Sequence, residues 1–159
     1  MKIIDGKKVS NEVLDEIKLA AQNRKKLNLK VPHLAAVLVG DDGPSQTYVN
    51  MLVASQHQAG TVYAVFNNHK RGDFKPYLLK STDKGNTWTN IAGNLPERGS
   101  VYAIAEDHVN PNLLFAGTEL GVYISKNGGK NWTPFQLNLP LTPITDLRVH
   151  QNNLIASTS

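Results

Sequence analysis

The chain has 159 residues, a net charge of +4 and no cysteine, so it holds one ordinary domain or two small ones and excludes disulfides, thiolate metal sites and a cysteine nucleophile. Lys and Arg are spread evenly, eight against six Asp and Glu in residues 1–50 and nine against seven in the rest, which does not fit the one-sided basic face of a nucleic-acid binder. No apolar run approaches the roughly 18–20 residues of a membrane span, and residues 1–10 lead into no apolar signal segment, so a cytoplasmic location away from membranes is expected.

The first fifty residues alternate between strand and helix patterns. Lys2-Ile3-Ile4 reads as a short strand closed by the turn pair Asp5-Gly6. Ser10 reads as an N-cap, opening a helix over about 10–27 with Val13, Leu14, Ile17 and Ala21 on one stripe. Glu12, Asp15 and Glu16 near its start and Arg24, Lys25 and Lys26 near its end complement the helix dipole. Leu34 to Val39, bounded by Pro32 and Gly40, predict a strand buried on both faces. A loop follows over 40–44, and a helical pattern runs from Pro44 through Tyr48 and Val49 to about His57.

From residue 61 onward the pattern is β only. Strand formers gather at 61–66, 77–79, 101–104, 113–116, 122–124, 144–149 and 154–156. Turn residues separate them, among them Asn67-Asn68, Lys84-Gly85-Asn86, Asn110-Pro111-Asn112, Asn127-Gly128-Gly129 and Gln151-Asn152-Asn153. This half repeats itself. Ser81-Thr82-Asp83-Lys84-Gly85-Asn86-Thr87-Trp88 returns 44 residues later as Ser125-Lys126-Asn127-Gly128-Gly129-Lys130-Asn131-Trp132, and Asn94-Leu95-Pro96 returns as Asn138-Leu139-Pro140. A period of about 40–50 residues with four strands per unit is the pattern of propeller blades.

The octapeptide resembles the Asp-box, Ser-x-Asp-x-Gly-x-Thr-Trp, of bacterial sialidases, sortilin-type receptors and glycosyl-hydrolase-like propellers. Ser81, Asp83, Gly85, Thr87 and Trp88 match it in full. In the second copy Ser125, Gly129 and Trp132 match, while Asn127 stands for the Asp and Asn131 for the Thr. The resemblance covers about residues 53–159 and implies about two four-stranded blades. These residues are then structural. Asp83 holds the amides of its own turn, Gly85 takes a positive φ, and Trp88 buries its ring. In the families that carry the box, it lies at the blade periphery, away from substrate.

Residues 1–50 resemble another family, the bifunctional methylenetetrahydrofolate dehydrogenase/cyclohydrolases. The matching blocks are Ile4-Asp5-Gly6-Lys7-Lys8-Val9-Ser10, Val31 through Asp42, and Ser45-Gln46-Thr47-Tyr48-Val49. The family's last block reads Tyr-Val-x-x-Lys; its Tyr contacts folate and its Lys acts at the one-carbon group. Tyr48 matches the folate contact, but Leu52 stands at the Lys position. NADP and folate are therefore implied only if this resemblance governs function. Otherwise no cofactor is expected.

Other constellations select no site. His33, His57, His69, His108 and His150 form no pair at i, i+3 or i+4, so no metal is expected. Glu106, Asp107 and His108 are consecutive, and neighbours along a strand face opposite ways. Glu97, Glu106, Asp107 and Glu119 offer no selected carboxylate pair, and Arg71, Arg98 and Arg148 match no sialidase arginine motif. Arg71-Gly72-Asp73 spells the integrin tripeptide within a loop.

The expected architecture is an α+β composite. Residues 1–52 form a β-α-β-α fragment like the start of the folate enzyme, and 53–159 an all-β propeller segment. No Gly, Ser or Pro linker marks the join near residues 50–53, and residues 156–159 end inside a strand-like run, which suggests a truncated chimera. The expected function is a non-catalytic scaffold. The alternatives are a folate dehydrogenase/cyclohydrolase and a sialidase-like glycoside hydrolase. Open blade edges imply self-association, and a small-molecule or glycan ligand is unidentified.

Overall fold

The computed structural model describes residues 6–29, 31, 48–135 and 137–158. The chain divides into two compact units, residues 1–36 and 37–159. The expected strands at 2–4 and 34–39 and the loop at 40–44 lie outside the described residues.

The first unit contains helix α1, Gly6–Lys26. Ser10, expected as the N-cap, lies inside it, because Lys7, Lys8 and Val9 contain no breaker and the helix starts at the preceding glycine. The first turn accordingly has no acidic residue, while Arg24, Lys25 and Lys26 occupy the last turn as expected. Asn28 adopts a left-handed φ of 53° and ends the helix, with the Leu29 amide bonded back to the Arg24 carbonyl at 2.9 Å. The expected stripe is exposed at Val13, Leu14 and Ile17. Among the described residues no helix is long and apolar enough to cross a membrane.

The second unit contains three antiparallel sheets. Strands β1 (Tyr48–Ala54), β2 (Val62–Asn68), β3 (Asp73–Ser81) and β4 (Thr89–Asn90) form the first in sequential order. Strands β5 (Val101–Glu106), β6 (Leu114–Thr118), β7 (Gly121–Ser125) and β8 (Thr133–Pro134) form the second, also in sequential order. Strands β9 (Ile144–His150) and β10 (Asn153–Thr158) form a third, two-stranded sheet. The chain is thus an α+β composite whose sheets do not close on themselves.

One expected helix is corrected. Residues 48–54 form β1, paired to β2 from Tyr48 opposite Asn67 to Ala54 opposite Val62. The period is two: Met51 and Val53 pack on the core and Leu52 faces out. The sequence Tyr-Val-Asn-Met-Leu-Val-Ala is as good a strand as a helix, and pairing along the whole of β2 decides between them. The strands expected at 61–66, 77–79, 101–104, 113–116, 122–124, 144–149 and 154–156 correspond to β2, β3, β5, β6, β7, β9 and β10.

The second sheet is buried on both faces, which explains the unbroken apolar run of β6. Val101, Ile104, Leu114, Ala116 and Trp132 pack toward Tyr63, Val65 and Leu78 of the first sheet. Ala103, Ala105, Phe115 and Val122 pack the other way, toward Ile144 and Leu147 of the third.

Candidate functional site

The repeated octapeptides form the turns from β3 to β4 and from β7 to β8. In the first, the Ser81 hydroxyl donates to Asp83 Oδ1 at 2.8 Å and accepts the Gly85 amide at 2.8 Å. Asp83 Oδ1 accepts the Thr87 amide at 2.8 Å and Oδ2 accepts the Thr87 hydroxyl at 2.7 Å. Four donors from its own turn thus converge on two side chains. The amide and hydroxyl of Thr87, followed by the Ser81 hydroxyl, hold the Asp83 carboxyl down at about 2. Gly85 has a φ of 91°, and Trp88, half-buried, donates Nε1–H to the Gly85 carbonyl at 3.0 Å.

The second turn repeats this frame with neutral groups. The Ser125 hydroxyl donates to Asn127 Oδ1 at 2.9 Å and accepts the Gly129 amide at 2.9 Å. Asn127 Oδ1 accepts the Asn131 amide at 3.0 Å. Its tryptophan goes elsewhere. Trp132 is only 3% exposed, and its Nε1–H donates to the Ile91 carbonyl at 2.9 Å. Its amide donates to Asn94 Oδ1 at 2.6 Å, and Asn94 Nδ2 donates back to the Trp132 carbonyl at 3.0 Å. Gly129 has a φ of 93°, and a Cβ there would lie 2.9 Å from the Ile91 side chain, so the close approach requires glycine.

Two polar clusters were not legible in the sequence. Glu106, 4% exposed, accepts the Ser55 hydroxyl at 2.9 Å, the Gln56 amide at 2.8 Å and the Tyr63 hydroxyl at 2.9 Å. It ties the β1–β2 turn to the second sheet. Burial and this carboxylate push the Tyr63 hydroxyl far above its ordinary range. Ser55 and His57 do not form a nucleophile–base pair: the Ser55 hydroxyl points to Glu106, and His57 Nε2 lies 2.7 Å from the Asp107 carbonyl. His69 Nε2 lies 2.6 Å from the Ser100 hydroxyl, between the rings of Phe74 and Tyr102. Ser100 is fully buried and so cannot meet a substrate. Both clusters join residues 31 to 51 apart in sequence, and no local spacing announces them.

The remaining expectations fall into place as follows. Asp107 lies just past β5, so the opposite-face argument does not apply to it, and His108 Nδ1 comes within 3.8 Å of its carboxylate. That carboxylate accepts the Val109 and Asn110 amides at 2.9 and 2.6 Å, and the Asn110 bond leads in holding its pKa low. Glu97 is exposed and Glu119 half-buried. In the Arg71-Gly72-Asp73 stretch, Asp73 opens β3 and accepts the Tyr77 hydroxyl and the Lys75 amide. Of the histidines, His33 lies outside the described residues, and among those described no three metal-ligating side chains converge.

The folate-contact position, Tyr48, begins β1, and Leu52 stands opposite Ala64 on the same strand, 47% exposed. Four residues span about 13 Å along a strand, against about 6 Å along one turn of helix. The strand therefore separates the two positions that the folate-enzyme motif would bring together.

The chain belongs to the tetrahydrofolate dehydrogenase/cyclohydrolase family, whose catalytic-domain model matches residues 4–98. The match extends past residue 52, where the quoted motifs stop, and takes in β1 to β4. Among its relatives, the bifunctional protein FolD of Christiangramia forsetii is 48% identical over 66 residues, 42% of this chain and 22% of that one. FolD of Leptospira interrogans is 35% identical over 104 residues, 65% of this chain and 36% of that one. The chain therefore spans about a fifth to a third of these relatives. Among solved structures, an ancestral GH74 enzyme aligns with a TM-score of 0.57 and 29% identity over 78% of this chain and 15% of that one. Together these matches support a composite chain.

Proposed function

We propose that this chain is a non-catalytic scaffold, in which a folate-enzyme-like segment runs near residues 50–53 into an incomplete Asp-box β-propeller. On this reading the first two sheets are blades, the third is the inner half of another, and the octapeptides are Asp-boxes that staple each blade's outer hairpin. The observation that carries it is the strand conformation of residues 48–54. It draws the Tyr48 and Leu52 positions apart and leaves an aliphatic side chain where the family motif has its lysine. The side chains of both octapeptides support the same reading, because their polar atoms bond within their own turns.

Family membership favours a second reading, folate-dependent one-carbon chemistry with NADP. A spectrophotometric assay with methylenetetrahydrofolate and NADP separates the two. Loss of a proton-transferring group typically costs about 10²- to 10⁴-fold, and we expect no turnover above background. The Leu52→Lys variant should stay inactive, because β1 still holds position 52 away from position 48. Turnover by the natural sequence, or its appearance in Leu52→Lys, would overturn the scaffold reading. A glycan-hydrolase reading draws on the GH74 neighbour alone, and the buried Glu106 already accepts three protein donors.

A further inference from the structure

We propose that the recess between the β5–β6 loop, Phe135 and the β9–β10 turn, together with the free side of β10, is a docking site for a β-hairpin whose turn presents a tryptophan. The recess has a volume of about 610 Å³, and its apolar lining comes from Phe115, Phe135, Leu137, Val149 and Leu154. The chain itself contains the template for what fills such a place. Between the first and second sheets, the β7–β8 hairpin seats Trp132 in a core with Tyr63, Ile91 and Leu95. Asn94 grips the tryptophan backbone from both sides.

The 44-residue offset carries Ile91, Gly93, Asn94 and Leu95 onto Phe135, Leu137, Asn138 and Leu139. The backbone follows the sequence. Gly93 and Leu137 share a left-handed conformation, with φ of 52° and 47°. What differs is the cover. Leu95, under the hairpin, is 5% exposed, whereas Leu139 is 44% exposed. Phe135 packs with Phe115 at a ring separation of 6.0 Å, as the floor of the recess.

A second observation is independent of the recess. In the first two sheets the second strand is flanked on its far side by a third, β3 beside β2 and β7 beside β6. β10 is paired only with β9 among the described residues. Its sequence, Asn-Leu-Ile-Ala-Ser-Thr, contains no Lys, Pro or acidic residue to discourage strand addition. A strand added there supplies main-chain hydrogen bonds, and its turn brings a side chain over the recess. One residue works against a seat identical to that of Trp132. A Cβ at Gly93 would lie 2.7 Å from the Lys130 carbonyl, and Leu137 carries such a Cβ. The incoming turn is therefore held back by Leu137.

The proposal rests on the stacked-sheet reading of residues 48–158 and not on the absence of folate chemistry. The probe is a fluorescently labelled peptide with the sequence of residues 120–135, closed by an added terminal disulfide so that the hairpin is preformed. It is titrated into the full chain and followed by anisotropy. Saturable binding is expected, at least about tenfold weaker when the peptide's Trp132 is replaced by Ala. The Leu137→Gly chain should bind more tightly than the natural one. Absence of saturable binding, or equal affinity for the Trp and Ala peptides, would overturn the proposal. So would concentration-dependent self-association in sedimentation that the peptide fails to displace, since a second copy would then hold the recess. A Trp132→Ala chain that loses stability while no peptide binds would leave the stacked reading intact and remove only the docking site.

Discussion

The two octapeptide turns share a hydrogen-bond frame and differ in what they do with their tryptophan. In both, a serine hydroxyl bridges to the residue two on and accepts the glycine amide four on. The first adds a charged carboxylate that takes both donors of Thr87, and keeps its tryptophan on its own turn through the Gly85 carbonyl. The second uses a neutral amide and sends its tryptophan into the preceding repeat, against Ile91 and Asn94. The frame is thus a local device, set by side chains within eight residues. The cross-repeat contact is a separate one, available only where a preceding repeat presents Ile91, Gly93 and Asn94. Electrostatics stabilise the first turn and packing the second.

The largest test of this contrast is removal of each ring. Trp132→Ala should cost about 3–5 kcal/mol, because a fully packed ring leaves a cavity between two sheets. Trp88→Ala should cost only about 1–2 kcal/mol, since its ring is half-exposed and one hydrogen bond is lost. Chemical denaturation of both variants provides the measurement. Equal losses would mean that the two turns do the same work.

The next test is the grip on the Trp132 backbone. Asn94→Ala removes an acceptor and a donor that meet one residue, at 2.6 and 3.0 Å. It should cost about 1–3 kcal/mol through unpaired peptide groups. Asn138→Ala, 44 residues on, faces no tryptophan among the described residues and should stay within about 0.5 kcal/mol of the natural chain. A loss at Asn138 as large as at Asn94 would show that the 44-residue correspondence does not carry the energetics.

The same division decides what the sequence could reveal. The octapeptides were legible because their bonds are local: Ser81, Asp83, Gly85 and Thr87 contact one another within four residues. Most strands were legible as runs of β formers between turn residues. β4 and β8 were not, because two residues hold no period. β1 was misread as helix because Tyr48 and Val49 sit in a folate-enzyme motif, and only pairing with β2 selects the strand. The Glu106 and His69 clusters and the Trp132–Asn94 clasp join residues 31 to 51 apart in sequence, with no spacing rule to mark them.

The smallest expected effect is also the most specific. The Asp83 carboxyl is lowered from 3.8 to about 2 by bonds that exist only in the folded turn. A carboxylate with a depressed folded pKa contributes stability that is fully present above its unfolded value and is lost as pH falls through the folded one. Asp83 should therefore add an acid-dependent loss of stability between about pH 4 and pH 2. Asp73 and Asp107, also lowered, supply a background slope in the same direction. Asp83→Asn copies the second turn: an amide oxygen can still accept the Thr87 N–H, as Asn127 accepts that of Asn131. Its denaturation midpoint near pH 7 should change little, while its acid slope becomes shallower than that of the natural chain. The converse change, Asn127→Asp, should steepen the slope. The steepening should be weaker than the Asp83 contribution, because Asn131 lacks the hydroxyl that Thr87 donates to Oδ2. Midpoints measured from pH 7 to pH 2 for the three chains test both signs. Parallel curves for the natural chain and Asp83→Asn would show that the charge of the first turn contributes nothing its neutral counterpart does not.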